Sequence, residues 1–234
     1  MRPSPANPRL SSWGTDVDPW ERAAARPLYL LAAGLIAAVA IGSAFATPLL
    51  PFRMAVHWGP GGEPDAYLVR PLALLLLPGA AAGLLGLFAL LPRIDPLGEN
   101  VAAFRRAYDA FALLLVAFLL VLHVGVLAWN AGVEYRIVQL VAATVGVLFV
   151  GLGALLRRTE PNWFVGIRTP WTMHDDRVWH ETHRLAGTLF KLAGVVAFLG
   201  VLLPDLAVAA IVVPAVGAAL LSVVYSYVVY RRVA

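Results

Sequence analysis

The sequence predicts an all-α, polytopic membrane protein with six transmembrane helices and a short interfacial helix in the fourth loop. Composition is the first reason. Of 234 residues, 60% are hydrophobic and only 14% are charged, against roughly 45–50% apolar and about 25% charged in a soluble domain. Mean hydropathy is +0.77. The second reason is the presence of six apolar runs of about 20 residues, the length that crosses the hydrocarbon core. The third is that these runs lack period-two alternation. Lipid tolerates only helices and closed barrels, so the runs read as helices. A disordered chain is excluded, and an ordinary soluble enzyme is not expected. A nucleic-acid partner is not expected either. The pI is about 9.8, but the net charge is only +4 and the basic residues are dispersed. There is no cysteine, hence no disulfide and no thiolate metal site.

The elements follow in order. Residues 1–26 form a tail containing Pro3, Pro5 and Pro8. Asp18, Pro19 and Glu21 have the pattern of a helix start, with Asp as N-cap, Pro at N1 and Glu at N3, which predicts a short helix before the first span. Span one runs from Leu28 to Thr47. Ala44-Phe45-Ala46 resembles a signal-peptidase site, but the run is too long for a signal h-region and a retained span is expected. Span two, Leu72–Leu91, carries Gly79 and Gly83 as Gly-x-x-x-Gly, a spacing that permits close helix approach. Pro78, and Pro214 in span six, are expected kinks. Span three runs from about Tyr108 to Trp129, with His123 inside it, Asn130 at one end and Asp109 near the other. Span four is Ile137–Leu156 and span five is Leu185–Leu203. Pro204-Asp205 reads as the tight turn into span six, Leu206–Tyr230. Lys191, the only lysine, is expected to snorkel toward the interface.

The placement of arginines sets the expected orientation. Fourteen of the eighteen basic residues fall on the side of the two termini and loops two and four, and three fall on the other. Both termini and these loops are therefore expected in the cytoplasm of a multi-pass cell-membrane protein, with loops one, three and five outside. The expected division is a cytoplasmic tail at 1–26, a membrane region with an external loop at 27–106, and a second membrane domain at 107–234. The last contains the cytoplasmic loop 157–184.

Two loops concentrate the polar and aromatic residues. The first carries His57, Trp58, Gly62, Pro64, Asp65 and Tyr67. Its glycines permit positive φ and its prolines restrict the chain, so a compact, ordered external loop is expected. The fourth carries Asn162, Trp163, Gly166, Arg168, Thr169, Pro170, Trp171 and Thr172, then Trp179, His180 and His183. Thr172 and Asp175 match a capping box, which predicts a helix from about residue 173 running along the interface into span five. Trp163, Trp171 and Trp179 are expected at headgroup level. Arg168 is within reach of a lipid phosphate, a carboxylate or an aromatic face.

Asn162-Trp-Phe-Val-Gly-Ile-Arg168-Thr-Pro170-Trp171-Thr172, with Val178-Trp179 and Thr182-His183-Arg184, resembles the signature of the Sdp immunity protein family. The first loop, through Pro51, His57, Gly62, Pro64, Asp65 and Tyr67, is similar to a domain of unknown function that precedes that signature. The resemblance implies an integral membrane protein that confers resistance to, or detects, a membrane-active peptide toxin. It also implies a relay to a cytoplasmic transcriptional repressor. The functional residues it implies are those of the two loops.

The residues themselves leave other readings open. His174, His180, Glu181 and His183 are close in sequence, but without the His-Glu-x-x-His spacing of a zinc enzyme, and no metal or cofactor is expected. His183 is a candidate for a structural role or for titration near neutral pH. His123 is a functional candidate by its depth, against a plain hydrogen bond to a backbone carbonyl. No acidic pair, phosphate loop or nucleophile elbow occurs, so a non-enzyme is expected. The alternative class is a small-molecule or lipid transporter or flippase built on broken helices. Sparse polar residues within the spans count against it.

Overall fold

The computed structural model describes residues 19–233, with side chains from residue 27 onward. Asp18 and the tail prolines lie outside the described residues. Helix α1 runs from Pro19 to Ala46, so the expected short helix and span one are a single helix with Pro27 inside it. After a 3-10 turn at Thr47–Leu49 come two strands, β1 (Arg53–Trp58) and β2 (Pro64–Val69). Next come α2 (Arg70–Ile94), α3 (Gly98–Ala103), α4 (Arg105–Asn130) and α5 (Ile137–Leu156). Then follow α6 (Pro170–His174), α7 (Asp176–Leu199), a 3-10 turn at Pro204–Leu206, and α8 (Ala207–Val233).

Among the described residues, five helical segments are long and apolar enough to cross a membrane: Pro27–Leu49, Arg70–Ile94, Arg105–Asn130, Ile137–Leu156 and Pro204–Val233. The remaining long helix, α7, holds the expected fifth span behind two polar turns that carry Asp176, Arg177, His180, Glu181 and Arg184. Large apolar side chains such as Leu30, Phe45, Leu72, Val213 and Leu220 are exposed. That surface suits hydrocarbon rather than water as solvent. The protein is an all-α, multi-pass membrane protein with one small hairpin.

Helix α7 packs between α5 and α8, and α4 joins this trio to α1 and α2. The α5–α7 contact is built on glycine. A Cβ on Gly146 would stand 2.8 Å from the Gly194 carbonyl oxygen, and one on Gly194 would stand 2.6 Å from that of Gly146. Gly153 and Gly187 repeat the arrangement two turns away, where a Cβ on Gly187 would meet the Gly153 oxygen at 2.6 Å. Bare backbones let the helices approach this closely. Gly79 and Gly83, the pair with Gly-x-x-x-Gly spacing, have nothing within 4 Å. Among the described residues, no helix packs on that stripe.

Loop one is a β-hairpin. Its strands are antiparallel, pairing Arg53 with Val69 and Ala55 with Tyr67, with register irregularities between Ala55 and Trp58. Two runs containing valine and aromatics flank a glycine-rich turn, which favours a hairpin over an irregular loop. The Gly59 N–H donates to the Glu63 carbonyl at 2.9 Å, and Gly62 turns the chain at φ 86°.

Candidate functional site

The hairpin is held by α4 and α2. The Asn130 side chain at the end of α4 acts as a short strand mimic. Its Oδ1 accepts from the Ala55 N–H at 2.8 Å, and its Nδ2 donates to the Ala55 carbonyl at 3.0 Å and to the Val126 carbonyl at 2.8 Å. Trp58 packs edge-on against Trp129 at 5.3 Å. Met54 is fully buried, in a cluster with Leu50 and Ala73. Arg70, the first residue of α2, donates to the Thr47 and Leu50 carbonyls at 3.1 and 2.9 Å. It thereby supplies donors to carbonyls at the end of the first span, where the Thr47 carbonyl also accepts from the Leu50 N–H.

With one face docked, the hairpin presents the other. His57, Asp65 and Tyr67 are exposed, and Gly62 and Pro64 are half-buried. His57 Nδ1 lies 2.5 Å from Asp65 Oδ1, joining the two strands across the turn. The structure thus brings together the residues singled out in this loop.

The second region lies at the opposite end of the bundle, near the start of α4. Asn162 is fully buried and ties a tight turn together. Its Nδ2 donates to the Glu160 and Val165 carbonyls, each at 2.9 Å, and its Oδ1 accepts from the Phe164 and Val165 N–H groups at 3.0 and 2.6 Å. All its amide capacity is used on backbone, so no isosteric aspartate or leucine could replace it without leaving groups unpaired.

Asp95 is the anchor that motif reading missed. Its Oδ1 accepts from the Leu97 N–H at 2.8 Å, and its Oδ2 accepts from the Trp163 N–H at 3.0 Å. Asn100 adds a bond to the Pro161 carbonyl at 2.7 Å. Asp95-Pro96 at the end of α2 is a turn signal. It gives no hint of a partner 68 residues away.

His183 closes the loop from below. Its Nδ1 donates to the Trp179 carbonyl at 2.8 Å, and its Nε2 accepts from the Ile167 N–H at 2.9 Å. These two roles define a neutral ring. Burial lowers its pKa from 6.5 to about 4, which removes the titration near neutral pH expected of its residue type. Gly166 passes over the ring at φ 123°, and a Cβ there would collide with Nε2.

Trp179 is fully buried and stacks on His183 at 4.0 Å. Its Nε1 donates to the Thr159 carbonyl at 2.9 Å. It is therefore an interior floor for the loop, not the interfacial tryptophan expected from its position. Packing against α7's own histidine and against the loop backbone satisfies both its apolar area and its N–H. Trp163 and Phe164 are exposed beside the exposed Arg168, which pairs with no carboxylate among the described residues.

The capping box forms three residues earlier than expected. Thr169 and Thr172 cap α6 reciprocally, with Pro170 at N1. Asp175 is extended, breaks the helix, and caps α7 by accepting from the Arg177 and Val178 N–H groups. The short helix of the fourth loop is thus α6, separated from α7 by one residue. A threonine at N-cap bonds the N3 N–H through its hydroxyl, as a serine does. Asp175 takes the next helix because its carboxylate suits a positive helix end. Trp171 ties α6 to α8, donating to Ser226 Oγ at 2.6 Å, meeting Tyr227 edge-on and stacking beside Tyr230.

The histidines near this loop are turned apart. His180 is exposed and contacts Glu160 and the Asp176 carbonyl, while His183 faces inward. Among the described residues no three His, Asp or Glu side chains are placed to hold a metal. Within the spans, Ser43 donates to Val39 at 2.7 Å, so His123 Nε2 donates to Ser43 Oγ at 2.8 Å. The partner is a hydroxyl on α1, where a backbone carbonyl was expected.

Residues 158–227 match the SdpI/YfhL protein family, and residues 34–82 match a domain of unknown function (DUF1648). The hairpin lies inside the second match and the Asn162–His183 region inside the first. The chain is 26% identical over 184 residues to the immunity protein SdpI of Bacillus subtilis (strain 168), covering 78% of this chain and 86% of that protein. No solved structure matches the chain. The chain thus resembles the SdpI/YfhL family in its second half, behind a DUF1648 segment, in the order its two loop motifs imply.

Proposed function

We propose that this chain is a non-enzymatic membrane immunity protein that protects its host against a membrane-active peptide. The observation that carries the reading is its likeness to an immunity protein over 78% of its length. The geometry supports it. The exposed His57, Asp65 and Tyr67 surface is rigidly docked and available to an external ligand. The Trp163, Phe164 and Arg168 surface is available to a soluble partner at the other end. The distribution of arginines supports an orientation with the hairpin outside and both termini in the cytoplasm. In this reading peptide contact at the hairpin is relayed through α4 to the 162–183 region, where a repressor is held.

The test is expression of the full chain in a host sensitive to a secreted membrane-active peptide. Survival at raised peptide concentration is expected, and is lost with Asn162→Ala. Unchanged sensitivity across such peptides overturns the reading. Because the chain has no cysteine, single cysteines report sidedness cleanly. Tyr67→Cys is expected to react with an impermeant maleimide in intact cells, and Trp163→Cys only after lysis. The reverse pattern overturns the orientation.

A further inference from the structure

A groove runs along α4 between α1 and α5, which share no extensive packing among the described residues. It holds two cavities. One, of about 810 Å³, lies at the end remote from the hairpin, with Leu28 of α1 and Leu114 of α4 in its wall. Its rim carries Arg105, Arg106 and Arg158, with one carboxylate, Asp109. The other, of about 500 Å³, continues the groove past Leu35, Val39, Val121 and Val124 and has no charged lining residue.

The charges at the rim are not equivalent. Arg105 is committed, donating through Nε to both Asp109 oxygens at 2.9 Å. Arg106 and Arg158 are exposed and pair with no carboxylate among the described residues. After the Arg105–Asp109 pair cancels, the rim keeps two positive charges among the described residues. Below it the groove is apolar. Leu114 is eight residues beyond Arg106, about 12 Å along the helix, close to the depth of one leaflet's hydrocarbon, about half of 30 Å. A ligand matching this profile has an anionic head at one end and one leaflet's length of hydrocarbon behind it.

We propose that this groove is a binding site for an anionic glycerophospholipid. The headgroup phosphate sits between Arg106 and Arg158, and an acyl chain lies along Leu28, Phe111 and Leu114. The guanidinium forks supply paired donors to phosphate oxygens. The acyl chain fills space that neither α1 nor α5 closes. The site is independent of the immunity reading: Arg158 opens the 157–184 loop, but none of the hairpin residues or of the 162–183 residues on which that reading rests lines the groove.

The test is native mass spectrometry of the full chain in detergent with added dioleoylphosphatidylglycerol or dioleoylphosphatidylcholine. Retention of phosphatidylglycerol in preference to phosphatidylcholine is expected. The double variant Arg106→Gln/Arg158→Gln is expected to weaken phosphatidylglycerol binding by roughly tenfold or more. Ala110→Trp, which fills the cavity without touching charge, is expected to weaken it comparably. Arg231→Gln/Arg232→Gln removes the same charge outside the groove and is expected to leave binding unchanged. Equal retention of the two lipids overturns the proposal. So does equal loss in the Arg231/Arg232 control, or binding of glycerol 3-phosphate as tightly as of the whole lipid. A lipid-free dimer that cross-links through residue 110 assigns the groove to a second copy of the chain instead.

Discussion

His183 on α7 accepts a hydrogen bond through Nε2 from the backbone N–H of Ile167 at 2.9 Å, while its Nδ1 is spent on Trp179. A single neutral imidazole thus joins the family-matched loop to the helix beneath it. The ring cannot gain a proton without losing the bond to Ile167, because a protonated Nε2 is a donor facing a donor.

This gives a pH dependence with a definite sign. The folded-state pKa, about 4, lies below the ordinary 6.5. The unfolded chain therefore holds the extra proton between these values, and stability rises with pH across the window. The contribution is fully present above pH 6.5 and is lost as pH falls toward 4. Its size is on the order of 3 kcal/mol. Thermal unfolding in detergent is expected to show a falling Tm from pH 6.5 to 4, with a shallower slope in His183→Asn. Equal slopes in both proteins would refute the assignment.

The two loop glycines should separate backbone strain from steric collision. Gly62 and Gly166 both have positive φ, but Gly62 has open space around its missing Cβ while Gly166 lies on His183. Gly62→Ala is expected to cost about 1 kcal/mol. Gly166→Ala should cost clearly more, at least 2–3 kcal/mol by the order of a strained, crowded position. Denaturation in mixed micelles measures the difference. Equal costs would mean that the loop shifts freely off the histidine.

Asn130 serves three backbone groups at the base of the hairpin. Asn130→Leu strands the Ala55 N–H and carbonyl, a loss of roughly 1–3 kcal/mol. Faster amide hydrogen exchange is expected across residues 53–69, with α4 protection retained below its last turn. Unchanged exchange in the hairpin would show that Met54 and Trp58 packing suffices to hold it.

Glycine identity should matter on α5 and α7 and not on α2. Gly194→Ala puts a methyl against the Gly146 carbonyl and is expected to lower Tm by several degrees. Gly79→Ala, with nothing within 4 Å, should be neutral or slightly stabilising through helix propensity. The two single variants compared in one detergent decide this.

Much of this protein follows from local chemistry. The spans are legible because hydrocarbon leaves the backbone no alternative to helix. Ile137–Leu156 has the same ends in the apolar run and in α5. Asn162, Gly166, Trp179 and His183 stand out by residue type and spacing, and the structure assembles them around one loop. Their roles were less legible. Trp179 reads as interfacial because tryptophan commonly is, yet it is buried once α7 turns it under Thr159. The Thr172–Asp175 box is a valid pattern, but Thr169 offers the same chemistry one turn earlier. Sequence cannot rank two caps that differ only in where the chain must bend.

By itself, then, the sequence determined the membrane class, the helical spans, the turn-rich character of the first loop and the residues of the fourth. These rest on solvent preference and on bonds between neighbours a few residues apart. Only the tertiary structure decided that the first loop is a hairpin clamped by Asn130, that Asp95 holds Trp163, and that α7 meets α5 through Gly146, Gly153, Gly187 and Gly194. Each joins residues more than 30 positions apart. Nothing in the local pattern of either partner specifies the other until the helices pack.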